Sequence, residues 1–132
     1  MKPTPINLFT MSNAQLLDGL RDSVLVDIPL GIQSEDDMKR IEYLLGKLAN
    51  DYTYVITLGG YAKNYVRQLK RQGKEYQTEY EDMMDKRDTL EGIASAIKIQ
   101  YQAVSRMLTV RIQQREEMDM HEYRKDTNQF KQ

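Results

Sequence analysis

The sequence predicts an all-α fold: two long helices in a coiled-coil-like hairpin, a short helix ahead of them, and assembly of copies into an oligomeric bundle. Three observations carry this. Apolar residues recur at alternating steps of three and four from Met38 to Leu69, and again from Leu90 to Leu108. That is the period of a helix face, where a half-buried strand would step by two. The chain is polar, with 40% hydrophobic and 30% charged residues and a mean hydropathy of −0.69, a balance that suits half-exposed helices better than a thick core. Its 132 residues make one domain the prior. A lone hairpin of this polarity buries too little surface. Assembly with copies of itself is the cheapest remedy, and a monomeric three-helix bundle is the alternative.

Residues 1–11 hold Pro3 and Pro5 and no helical period, so they read as an extended arm. Residues 12–33 read as a short helix followed by an apolar extended segment. Ser12 is an N-cap with Gln15 as its capping-box partner. Leu16, Leu17 and Leu20 form the apolar face, and Gly19 weakens the helix by up to ~1 kcal/mol relative to Ala. Residues 24–32 are β-branched and apolar, interrupted by Pro29 and Gly31. They either pack over the helices or form a strand that pairs with another subunit or a partner.

The helical hairpin is expected over 34–120. Ser34 caps the first long helix, and Glu35, Asp36 and Asp37 place acids at its positive end. Its seam is Met38, Ile41, Leu45, Leu48, Tyr52, Val55, Gly59, Ala62, Val66 and Leu69, a heptad-like pattern. Residues 35–72 would run about 57 Å. Tyr54, Leu58, Tyr61 and Tyr65 add a second, partly apolar flank. Gly59-Gly60 costs ~2 kcal/mol against two alanines, which points to close helix approach, a kink or a hinge. Gly73 closes the helix. An acidic connector spans 73–88, with Glu75, Glu79, Glu81, Asp82, Asp85 and Asp88. It is either a loop or a solvated helical extension. Asp88 then caps a second long helix over 89–120, with Glu91 as its capping-box partner. Leu90, Ala94, Ile97, Tyr101, Val104 and Leu108 form the seam, widened by Ile93, Met107 and Ile112. The seam turns polar at Arg111 and Arg115, and residues 121–132 read as a polar, frayed tail.

Composition excludes several classes of function. Lys plus Arg is 19 and Asp plus Glu is 20, for a net charge of −1, so this is not a generally basic nucleic-acid coat. With no cysteine there is no disulfide framework, zinc finger or thiol nucleophile. No run approaches the ~18 apolar residues of a membrane span, and the N-terminus lacks a signal-peptide core. The expectation is a soluble, cytoplasmic protein without membrane contact. His121 is the sole histidine. Met118 stands where the carboxylate-bundle signature needs Glu, so His121 reads as solvated and not as a metal ligand. No nucleophile constellation, phosphate loop or paired acid/base site is visible. The chain reads as a non-enzyme with no cofactor and no small-molecule substrate.

What remains is charge in blocks. Residues 52–74 carry Lys63, Arg67, Lys70, Arg71 and Lys74 and no acid, and residues 92–115 carry Lys98, Arg106, Arg111 and Arg115 and no acid. Lys63, Arg67, Lys70 or Arg71, and Lys74 share a helix face. In an antiparallel hairpin the two blocks would lie side by side, with Tyr61, Tyr65 and Tyr101 within their span. Cations neutralise phosphates and aromatic faces stack on unpaired bases. The same residues also serve as a solvated or self-paired surface, complementing the helix dipole and the acids at 75–91.

The layout resembles the small helical recombination mediators of tailed phages, the UvsY type. The resemblance is carried by the basic residues from Lys63 to Lys74, the connector at 75–87, and Asp88-Thr89-Leu90 leading to Tyr101 and Arg106. It covers residues 35–115 in outline. It implies a ring-like oligomer that binds single-stranded DNA and helps load a recombinase. The basic residues would then be the DNA contacts and the C-terminal helix the assembly element. The leading expectation from the residues themselves is broader: a phage-like, oligomeric interaction protein whose basic-aromatic face binds an acidic partner by scaffolding, bridging or blocking. The alternatives are the DNA-binding mediator and a small virus-encoded inhibitor of a host protein that docks through residues 24–32.

Overall fold

The computed structural model describes the backbone of residues 2–130 and the side chains of residues 2–123. The chain forms α1 (Asn13–Gly19), α2 (Arg21–Val24), α3 (Glu35–Gln72), a 3-10 turn (Lys74–Tyr76) and α4 (Gln77–Phe130). There is no strand among the described residues. Helices α3 and α4 pack along each other as a hairpin. The N-terminal segment lies along one side of that hairpin as a third layer, with α1 and α2 against α4.

Local chemistry sets the ends of α3. Ser34 Oγ accepts from the Asp37 backbone N–H at 3.1 Å, Glu35, Asp36 and Asp37 fill the first turn, and Lys70 and Arg71 fill the last, in accord with the helix dipole. Gly73 ends the helix with φ +93°, a conformation that side chains with a Cβ resist. The capping box of α1 forms as expected, with Gln15 N–H to Ser12 Oγ at 3.1 Å and Ser12 N–H to Gln15 Oε1 at 2.9 Å.

Of the two alternatives for the connector, the structure takes the helical extension, and only the start of the second long helix at residue 89 is displaced. Only Gly73 and one 3-10 turn join the long helices, and α4 begins at Gln77 instead of residue 89. The acidic stretch is therefore helix, because it has its own inward stripe. Met83, Lys86 and Leu90 are buried at helical spacing and continue into Ile93, Ile97 and Val104. At the other end α4 continues through Phe130, so the expected tail at 121–132 is helical to that point, and its last two residues lie outside the described ones.

The buried stripe of α3 holds Ile41, Leu48, Val55, Gly59, Ala62, Val66 and Leu69 as the spacing predicts. Leu44 and Leu58 join them, whereas Met38, Leu45 and Tyr52 are only half-buried. The third layer explains this shift. Leu8, Leu16 and Leu20 are at most 1% exposed and join the same core, and the arm lies over the second flank of α3 at Tyr54 and Tyr65. The arm is thus not free. Thr4 and Asn7 exchange hydrogen bonds of 2.6 and 3.2 Å, and the backbone N–H groups of Thr10 and Met11 turn onto the Asn7 carbonyl. Residues 24–32 follow the packing alternative. Val24, Val26, Ile28 and Ile32 lie half-buried against the core. Gln100 Nε2 donates to the Val24 carbonyl at 2.7 Å, and Lys47 Nζ donates to that of Asp22 at 3.0 Å.

Neither a break nor crowding explains Gly59-Gly60. Helix α3 is continuous through the pair. A Cβ at Gly59 would meet Leu90 Cβ at 4.0 Å, an ordinary contact, and one at Gly60 would meet nothing within 4 Å. Close helix approach is therefore not the reason for these glycines.

Candidate functional site

The short turn sets the register of the hairpin, and the register decides which charges meet. Gly59 faces Leu90, Lys63 Nζ lies 3.5 Å from Glu91 Oε1, and Tyr52 lines the same groove as Lys98. The two acid-free blocks consequently do not lie side by side. That arrangement needed a loop at 73–88. With α4 starting at Gln77, the cations of 63–74 run beside the acidic opening of α4, and Lys98 lies beside the middle of α3. Lys63 and Lys98, one from each block, line a shared groove, and Glu91 lines it with them.

Arg67, Lys70, Arg71 and Lys74 are exposed and hold no ion pair among the described residues. Lys63 is paired with Glu91, but both side chains are more than half exposed, 54% and 52%, so the pair contributes under ~1 kcal/mol. Arg106 and Arg111 border a second groove at the open end of the hairpin, with Leu30, Ile32 and Val110. Arg111 is half-buried, and its Nε is buried without a hydrogen-bond partner among the described residues. Arg115 is exposed, as is every side chain of α4 from Ile112 to Tyr123, His121 included. No three His, Cys, Asp or Glu residues cluster as metal ligands among the described residues.

The aromatic half of the expected face lies elsewhere. At about 100° per residue, Tyr61 and Tyr65 fall on one flank of the buried stripe of α3, and Lys63, Arg67 and Lys70 fall on the other, with Lys74 in the turn just beyond the helix. Tyr65 belongs to the arm. Its hydroxyl donates to the Pro5 carbonyl at 2.9 Å, and its ring lies 4.3 Å from that of Phe9. Tyr61 is 43% exposed, with its ring 6.4 Å from that of Tyr65. The structure brings the α3 cations into one ridge but does not bring these tyrosines onto it.

Sequence reasoning missed the polar groups under the arm. Lys86 is fully buried; it pairs with Asp82 at 2.8 Å and donates to the Leu8 carbonyl at 2.5 Å. The Tyr54 hydroxyl donates to the Pro3 carbonyl, and burial raises its pKa above the ordinary tyrosine value. The available signal was the spacing of Met83, Lys86 and Leu90, which sets Lys86 on the inward stripe. Compared with protein-family models, curated proteins and solved structures, the chain matches none.

Proposed function

We propose that this protein is a non-enzymatic, oligomeric interaction protein whose basic ridge on α3 engages an acidic partner by occupancy, as a scaffold, bridge or block. The observation that carries this reading is the ridge itself: Arg67, Lys70 and Arg71 on α3, with Lys74 in the turn beyond it, stand exposed and hold no ion pair among the described residues, although acids of α4 run alongside. Unpaired cations in a row attract polyanions and acidic surfaces in a salt-dependent manner. Assembly is supported by surface area. The chain exposes 9698 Å², where a compact monomer of its mass would expose about 7,200 Å². No helix among the described residues is long and apolar enough to cross a membrane.

The test is fluorescence anisotropy with two labelled probes, poly-glutamate and a single-stranded oligonucleotide, across a salt series. The expected result is salt-sensitive binding of poly-glutamate, lost by at least tenfold in an Arg67→Glu/Lys70→Glu/Lys74→Glu variant that keeps its helical signal. Equal binding by the variant overturns the ridge. Tight binding of the oligonucleotide alone, with the same loss in the variant, replaces the acidic-protein reading with the single-strand-binding one.

A further inference from the structure

The N-terminal arm is held in an unusual way for a fixed part of a core. Its grip on the hairpin is through side chains that read arm backbone: Tyr54 Oη on the Pro3 carbonyl, Tyr65 Oη on that of Pro5, and Lys86 Nζ on that of Leu8. These three donors come from α3 and α4 and suit a segment that follows this backbone path, with a turn over residues 5–10. The side chains of the arm add Leu8, which is fully buried, and Phe9 against Tyr65.

Lys86 is the informative residue. It occupies a core position between Met83 and Leu90 and is 0% exposed. A seat filled permanently gains nothing from a lysine there, because well-packed apolar residues in place of a buried ion pair are often neutral or stabilising. A seat that is sometimes empty does gain. Once the arm leaves, Lys86 with Asp82, Tyr54 and Tyr65 present water with polar groups where apolar ones would be left bare.

We infer that the groove under the arm is a peptide-binding site for a short segment that turns over residues 5–10, and that its occupant in the assembled protein is the arm of a second copy. The exchange reproduces every contact between subunits that is now made within one, which makes it a low-cost route to assembly. The inference rests on the oligomeric reading above and assigns its contact.

Complementation tests it with full-length chains. Leu8→Asp has an intact groove and a defective arm. Tyr54→Phe/Tyr65→Phe has an intact arm and lacks two donors. Each alone is expected to self-associate roughly 10- to 100-fold more weakly than the wild type. An equimolar mixture should regain 1:1 pairs, seen by native mass spectrometry, because one arm and one groove remain intact. If Leu8→Asp loses its helical signal, Leu8→Ala takes its place. A labelled peptide of residues 2–10 should bind Leu8→Asp, whose groove is intact and whose own arm is defective, saturably, and the tyrosine variant at least tenfold more weakly. Wild-type assembly by both variants, or a peptide that does not bind, overturns the exchange and leaves the oligomeric reading standing. A wild type that is monomeric at every concentration removes both.

Discussion

At Gly73 the backbone sits at φ +93°, so Gly73→Ala should destabilise the hairpin by about 1–3 kcal/mol, read as a shift in urea midpoint. Gly60 is the opposite case. Its missing Cβ would meet open space, and Gly60→Ala should stabilise α3 by up to ~1 kcal/mol in the same assay. Tyr54 adds a pH dependence. Its pKa is raised in the fold by burial, so above pH ~10 the unfolded chain releases that proton first and the native state retains it. The unfolded state then binds fewer protons, and stability falls as pH rises from the unfolded towards the folded value. Urea melts at successive pH values between 8 and 11 should show a steeper loss for wild type than for Tyr54→Phe. Of these residues, Gly73 was legible as a helix stop. Tyr54 was legible only as part of a flank, because its partner Pro3 lies far away in sequence and spacing carries no information about such a contact.

At the scale of elements, the 3-4 spacing located α3 to within its caps because Ser34, the acids after it and Gly73 all agree locally. The same spacing misread which flank is buried. Leu45 fits a two-helix seam, but the third layer buries Leu44 instead. Leu44→Ala should therefore cost about 2–5 kcal/mol and Leu45→Ala clearly less, measured by thermal or urea unfolding. The start of α4 was hidden by composition. Six acids between 75 and 88 outweighed a sparse inward stripe in which one core position is a lysine. That boundary also carried the candidate site. Extending α4 back to Gln77 slides the register, separates the two basic blocks and sets the α3 cations beside acids. The ridge survives because helical spacing alone aligns it. The basic-aromatic face does not, because closeness in sequence says nothing about which flank of a helix a side chain takes.

For the whole molecule, the long hairpin leaves more surface than its mass warrants. The arm, α1 and the segment at 24–32 cover one side, whereas the side bearing Lys63 and Lys98 and the exposed end of α4 remain open. The charges balance to −1 but stay segregated, and a segregated neutral molecule attracts through its parts while remaining uncharged as a whole. Such a chain is expected to work as an assembly. Sedimentation equilibrium over a wide dilution series is the test: the expected mass is a multiple of 15.5 kDa and falls towards the single-chain value only on dilution. A constant 15.5 kDa at every concentration would contradict it.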